Sequence, residues 1–466
     1  MDSLSLQQVT AWSAGTLALA SEFSEFFQRD GVVRRVLTDS RAVGGCDLFV
    51  ALRGERFDGH DFISKIAEHL GEEQGGFVVL AERGRGARPA RVPVVEVEDT
   101  LAALQRLADA YRKTLPAAVV GVTGSSGKTS TKDFTFGVLS SVFKGWCTQG
   151  NLNNHIGVPL TLLGGDRSAQ FGVIEMGMNH AGEIAPLAAM AAPQVGIITN
   201  IGVAHIEFLG TREAIACEKG ALASAVGAEG TVVLSAEDPF TPMISEMTAA
   251  RVVTAGIGCG EVQAVDVLPT EGGSRFGVVY EGERAEFELA VPGLHMVRNA
   301  ALAVAAGLAL DVPLGAAAAG LRGMTLTKGR METRSVNGVQ FLDDTYNANP
   351  DSMRAALATL AQWPAAGKRI AVLGRMGELG AFAEQGHREV GRAASSGIDC
   401  LFTVGAEADW ISSEAARHGL DDVSHFEDYA SAAAALRKVW VPGDVVLVKG
   451  SRSARMERII EEVSRP

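Results

Sequence analysis

Short runs of consecutive apolar residues alternate along the chain with longer stretches in which apolar positions return every three or four residues. From residue 117 the runs are AAVVGV, FGVIEM, VGIITN and TVVLSA, with a helical pattern opening at about Lys128. A strand that is apolar at every position is buried on both faces, so these runs predict a parallel sheet covered by helices. The alternation resumes after residue 330 with VQFLDD, RIAVLG, DCLFTV and DVVLVK, which predicts a second doubly wound domain of Rossmann-like type. In the first hundred residues VVRRVLTDSR, DLFVALRG and GGFVVLAE are separated by glycine-containing turns, the pattern of a small α/β domain. Leu101, Leu104, Leu107, Ala108 and Tyr111 predict a helix capped by Asp99 or Thr100 and ending before Pro116. The expectation is an α/β chain of three domains, 1–100, 101–324 and 325–466.

Composition narrows the functional classes. The chain has 466 residues, more than one ordinary core accommodates. With 42 basic and 55 acidic residues the net charge is −13, which disfavours non-specific binding to nucleic acid or an anionic membrane. Any anionic ligand must therefore meet local basic pockets. The start MDSLSLQQ lacks a basic segment followed by an apolar one, and a cytoplasmic protein is expected. The stretch AALAVAAGLAL, ended by Asp311 and Pro313, falls short of the roughly 20 residues a bilayer requires, so no membrane insertion is expected. Cys46, Cys147, Cys217, Cys259 and Cys400 show no CxxC spacing, and buried, reduced thiols are expected rather than zinc or disulfides.

The candidate chemistry begins at GVTGSSGKTS, straight after an apolar run. A glycine loop opening a helix binds phosphate through backbone N–H groups and the helix dipole. Gly124 and Gly127 allow close approach, with Ser125, Ser126 and Ser130 around them. Lys128 reaches the β- and γ-phosphates, and Thr129 offers a hydroxyl to magnesium. Val122 stands where the common GxxxxGK[ST] pattern has its first glycine. Glu175 ends a strand run, where either a metal carboxylate or a salt-bridged structural glutamate fits, and spacing does not separate the two. Asn179, His180 and Glu183 follow it and could approach substrate. His205 lies beyond VGIITNIGVA, at another strand end, while Lys219 by itself reads as a solvated helix residue. His295 and Asn299 sit one turn apart on an alanine-rich helix; packing explains the alanines, and Asn299 is a candidate adenine reader. Lys328, Arg330 and Arg334 form either a phosphate clamp or a solvated basic linker. Asp343, Asp344, Tyr346 and Asn347 precede an expected helix with Asn349 as N-cap, Pro350 first and Asp351 in the first turn. Lys449, Ser451 and Arg452 follow the last strand run in a turn suited to a carboxylate or phosphate.

Taken in order, TGSSGKTSTKD, TQGNLNNHIGVPLTLL, EMGMNHAGEI, NIGVAHIEFLG, GLHMVRNAALA, KGRMETR, DDTYNANPDSM and LVKGSRSARME resemble the Mur ligases across nearly the whole chain. GNLNNHIGVP, EMGMNHAGEI and DDTYNANPDSM resemble the branch that adds D-alanyl-D-alanine to UDP-N-acetylmuramoyl-tripeptide. The resemblance implies a UDP-sugar domain, a central ATPase domain and a C-terminal domain that binds the dipeptide and closes on ATP. It implies ATP and Mg2+, with an acyl-phosphate intermediate. It makes Val122 unremarkable, since this family uses a shorter loop. It further implies Glu175 and His205 as metal ligands beside Thr129, and Lys219 as a carbamate. Asn299 matches an adenine-binding asparagine, Arg330 a γ-phosphate arginine and Asp344 a nucleotide-binding acid. Asp39, Ser40 and Arg41 with RGERFDGHDF match the UDP-sugar region, and Thr148, Asn151, Asn153 and Asn154 the muramoyl-binding stretch. Tyr346, Asn347 and Asn349 are expected near substrate, and the enzyme is expected to act as a monomer. Arg375 stands where relatives commonly have aspartate, with Glu378 as a candidate partner. Other readings are a different Mur ligase, folylpolyglutamate synthase, or a nucleotide-gated regulatory module; Glu175, His205 and Lys219 are unnecessary to the last.

Overall fold

The computed structural model describes residues 1–18, 33–70, 76–89, 92–270 and 272–465. The first residues of the VVRRVLTDSR and GGFVVLAE runs lie outside them. The chain forms two compact units: Met1–Gly121, Phe143–Met176 and Pro186–Pro193 make the first, and Val122–Val142, Gly177–Ala185 and Gln194–Pro466 the second. The division falls inside the strand Ala118–Thr123, which contributes to both.

In the first unit a five-stranded sheet runs in the order Thr16–Ala18, Val94–Val97, Val78–Glu82, Asp47–Val50, Arg35–Leu37. All pairings are parallel except the first. Phe49, Ile63, Ile66, Val79 and Val94 form its core. The helix Thr100–Arg112 is capped by Asp99, whose carboxylate accepts from Ala102 N–H at 2.8 Å. That face buries Leu104, Leu107, Ala108 and Tyr111, and the Tyr111 hydroxyl donates to Gly165 O at 2.8 Å. The strands Gly145–Cys147 and Phe171–Glu175 pair in parallel.

In the second unit Val195–Ile198, Thr231–Ser235, Arg251–Ile257 and Val262–Thr270 pair in parallel, and Gly273–Tyr280 and Glu283–Leu289 extend the sheet antiparallel. The apolar runs did not announce this edge, because hairpin strands with one solvated face alternate polar and apolar positions. Their turn, Glu281 and Gly282, has both residues at positive φ, which suits the twist of a two-residue hairpin. A six-stranded sheet follows in the order Glu332–Val336, Val339–Asp344, Val445–Lys449, Arg369–Gly374, Cys400–Val404, Val423–Phe426. Only its first strand is antiparallel, joined through the positive-φ pair Asn337 and Gly338. The sheets are thus parallel-rich but mixed.

The five cysteines are free, but the expectation of burial holds for Cys400 alone: Cys217 is exposed, and Cys46, Cys147 and Cys259 are partly so. No helix among the described residues is long and apolar enough to cross a membrane.

Candidate nucleotide and ligase site

Val122 is wholly buried inside the strand Ala118–Thr123, so a glycine there would serve no turn. The bend comes at Gly124 and Gly127, with φ of 149° and 78°. A Cβ on Gly124 would stand 1.8 Å from Thr199 Oγ1, and one on Gly127 would stand 2.7 Å from Asn299 Oδ1. Glycine is required at both for conformation and for space. The helix Lys128–Ser140 starts at Gly127 with no side-chain cap, leaving an electropositive N-terminus for an anion. The loop rests on the end of the strand Val195–Ile198: Ser125 and Ser126 N–H groups donate to Asn200 O and Oδ1 at 2.9 and 2.8 Å, and Thr199 Oγ1 donates to Ser126 O at 2.6 Å. Sequence reasoning passed over Thr199 and Asn200, although Asn200 closes the quoted VGIITN run.

Several expected residues converge here. Lys128 Nζ donates to Gly124 O at 2.8 Å. Arg330 Nη2 donates to Thr129 Oγ1 at 2.8 Å, its guanidinium lies 4.3 Å from the Tyr346 ring centre, and its Nε is buried without a partner. Asn349 caps the helix Pro350–Gln362 by accepting from Ser352 N–H, and its Nδ2 donates to Ser126 Oγ at 2.9 Å. Asp351 accepts from Val203 N–H at 3.1 Å.

His205 has φ 63° and is largely buried; its Nδ1 lies 2.6 Å from Glu378 Oε2, out of hydrogen-bond alignment, a contact that is an ion pair when the imidazole is protonated. Burial depresses its pKa, with Lys128 and Lys219 adding to the effect and Glu378 opposing it. Lys219 is 1% exposed, which overturns its reading as a solvated residue. Burial, reinforced by the Lys128 charge, pushes its pKa well below the ordinary lysine range. The helix Arg212–Ala225 that carries it also presents Glu218, which accepts from Gly182 and Ile184 N–H groups at 2.7 and 2.8 Å. That ties down the loop in which Glu183 accepts from Asn179 N–H and pairs with His180.

In the first unit Glu175 is 2% exposed. Asn153 Nδ2 donates to its Oε1 at 2.8 Å, while Oε2 is buried with no partner. Its N–H donates to Thr148 Oγ1 at 2.9 Å. Among the described residues no cation pairs with it, so the salt-bridged reading does not hold there, and an orphaned buried carboxylate oxygen suits a divalent cation. Asn154 Oδ1 accepts from Ile156 and Gly157 N–H groups and shapes the next turn. Arg41 grips Asp39 with two bonds, 2.9 and 2.7 Å, on the surface beside Ser40, holding the Asp39 pKa down at about 2.

Elsewhere Asp344 pairs with the buried Lys449 at 2.6 Å and accepts from Met331 N–H at 3.2 Å, while Lys449 also donates to Asn347 O at 2.8 Å. His295, near Asp344, has its pKa pushed down to about 4, chiefly by desolvation. Arg375 does not pair with Glu378: it bonds Ser453 Oγ at 2.9 Å and approaches Glu407 at 3.5 Å, because Glu378 turns to His205.

Family models match in chain order: the Mur ligase family catalytic domain over 32–112, the Mur ligase middle domain over 122–307, and the Mur ligase glutamate ligase domain over 329–452. The chain belongs to the Mur ligase family and is an ATP-dependent ligase of three-domain α/β fold. Its relatives include the UDP-N-acetylmuramoyl-tripeptide–D-alanyl-D-alanine ligase of Bacillus subtilis, 37% identical and covering 93% of both chains. The enzyme of the same name from Escherichia coli is 36% identical over 91% of this chain and 92% of its own. Among solved structures, MurF from Acinetobacter baumannii superposes with a TM-score of 0.88 at 31% identity, covering 100% of this chain and 99% of its own. MurF ligase from Thermotoga maritima in complex with ADP gives 0.82 at 30% identity, covering 94% and 98%.

Proposed function

We propose that the protein joins D-alanyl-D-alanine to the terminal carboxylate of UDP-N-acetylmuramoyl-tripeptide at the expense of ATP, in peptidoglycan precursor synthesis. The observation that carries the chemistry is the uncapped helix start at Gly127, attended by Lys128, Asn299 and the Arg330 guanidinium on Thr129. The substrates follow from the relatives that match it over nine-tenths of their length. A carboxylate oxygen attacks the γ-phosphorus and ADP leaves. The amine nitrogen then attacks the acyl carbon, the bond to phosphate breaks, and a proton passes to solvent. A peptide carboxylate is unreactive to amines until so activated, and the protein supplies position and charge rather than a covalent nucleophile.

In this reading Gly124, Ser125, Ser126, Gly127, Lys128, Thr129 and Ser130 cradle the phosphates, Asn299 meets adenine, Arg330 offsets γ-phosphate charge, and Asp344 meets the nucleotide. Thr129 and Glu175 would hold one Mg2+ and His205 and carbamylated Lys219 a second, and the ions when bound would neutralise phosphoryl charge. The unpartnered Glu175 oxygen fits that role. So does Lys219: burial favours its neutral form, the form of an amine that adds carbon dioxide. Residues 1–100, with Ser40 and Arg41, take the UDP-sugar. Residues 101–324 take ATP and, through Thr148, Asn151, Asn153 and Asn154, the muramoyl group. Residues 325–466, with Tyr346, Asn347 and Asn349, take the dipeptide. The enzyme acts as a cytoplasmic monomer.

The test is phosphate release from ATP, Mg2+ and UDP-N-acetylmuramoyl-tripeptide with D-alanyl-D-alanine, with D-glutamate, or with no amine. Release that depends on the dipeptide is expected. Release indifferent to the amine overturns the assignment.

A further inference from the structure

The cationic Lys128 and Arg330 suit phosphate but repel the second substrate, whose amino group arrives as an ammonium. The charged groups that act on His205 are Lys128, Lys219 and Glu378, and those that act on Glu378 are His205, Lys128 and His180. Glu378 is the one carboxylate in this set. It is also reachable, with 48% of its side chain exposed.

Its placement is enforced by the surrounding loop. Glu378 has φ 61°, a left-handed conformation that costs a non-glycine residue energy and persists where neighbours over-determine it. Here Arg375 O accepts from Ser451 N–H at 2.9 Å, and Met376 N–H donates to Nε2 of the buried His387 at 3.0 Å. His387 Nδ1 is in turn 2.7 Å from Ala383 O. Leu379 is buried, and Gly380 approaches Glu207 so closely that a Cβ would meet its Cγ at 2.8 Å. Constraints at Arg375, Met376, Leu379 and Gly380 thus flank Glu378, whose carboxylate faces His205.

Resting on the ligase reading above, we infer that Glu378 binds the ammonium of the incoming dipeptide and delivers its nitrogen to the acyl phosphate. His205 Nδ1 faces Oε2, and the half-exposed Glu378 carboxylate has a second oxygen with which to accept a charge-assisted hydrogen bond from a primary ammonium. The ammonium loses one proton to water, its nitrogen bonds to the acyl carbon and sheds a second proton to water, and the carbon–oxygen bond to phosphate breaks with the electron pair leaving on phosphate. Glu378 keeps its charge throughout, as a binding residue.

Hydroxylamine distinguishes this role from a structural one, because it intercepts acyl phosphates as an uncharged amine at neutral pH and has no ammonium to hold. With Glu378→Gln, the KM for D-alanyl-D-alanine should rise about 10- to 100-fold, the loss of one charge-assisted bond. Hydroxamate formation from the tripeptide substrate, ATP and hydroxylamine should stay within about threefold of the unsubstituted protein. Glu378→Asp, which restores the charge, should recover part of the dipeptide affinity. An unchanged dipeptide KM in Glu378→Gln, or an equal loss of hydroxamate and dipeptide product, overturns the inference. Absence of ATP-dependent hydroxamate from the unsubstituted protein overturns the acyl-phosphate reading itself, and this inference with it.

Discussion

Two lysines show how differently one residue type behaves under different burial. Lys128 curls over the loop at its own helix start, and its role is charge at the phosphates. Lys128→Ala should lower dipeptide-dependent phosphate release at least about 100-fold, as removal of a transition-state charge partner does, while thermal unfolding shows a folded protein. Near-normal turnover would remove the loop from the mechanism. Lys219 is buried with a depressed pKa, so between that value and the ordinary lysine value the unfolded chain binds more protons than the folded one. Stability therefore rises with pH across that window. Lys219→Met keeps the length and removes the titrating group. In metal-free buffer depleted of carbon dioxide, it should melt at a higher temperature than the unsubstituted protein at neutral pH. The gain should shrink as pH approaches about 10.4. Its ligase turnover should be lost. A melting difference that ignores pH would show that Lys219 is not held neutral by burial.

At the scale of elements, the phosphate loop joins one strand to one helix but takes its shape from a second strand end. Thr199 and Asn200 hold Ser125 and Ser126, and the space beside Thr199 admits only a glycine at 124. Gly124→Ala should cost about 1–3 kcal/mol in unfolding free energy and weaken ADP binding, measured by denaturant titration and by calorimetry. Unaltered ADP affinity would mean the loop tolerates a shifted Thr199. The helix Pro350–Gln362 begins with a capping box at Asn349, whose second function is the bond to Ser126. Asn349→Ala should remove about 1 kcal/mol through the cap alone. A double-mutant cycle with Ser126→Ala should show coupling beyond that cap energy.

At the scale of the whole molecule, a net charge of −13 disfavours non-specific attraction to polyanions, while the cationic Lys128 and Arg330 gather at the phosphate loop. On the monomer reading proposed above, sedimentation velocity should give one species of monomer mass that persists when protein concentration is raised about tenfold. Concentration-dependent association would overturn the monomer assignment.

The doubly buried strands of the parallel regions were legible from the sequence because they lack polar alternation, whereas the parallel but partly exposed Arg251–Ile257, Val262–Thr270 and Val423–Phe426 were not. VQFLDD, RIAVLG and DCLFTV emerge as Val339–Asp344, Arg369–Gly374 and Cys400–Val404. Caps and turns were legible for a similar reason: Asn349 before Pro350, and the glycines of GSSG, act through the backbone of their immediate neighbours. The antiparallel edges were not, since half-exposed hairpin strands share their pattern with surface segments. Nor could sequence spacing show that Lys219 is buried, that Asn200 holds Ser126, or that Glu378 faces His205 while Arg375 turns to Ser453. Local backbone preference and periodicity are properties of neighbouring residues. Burial, charge pairing and the pKa shifts they cause depend on segments that meet only when the chain folds.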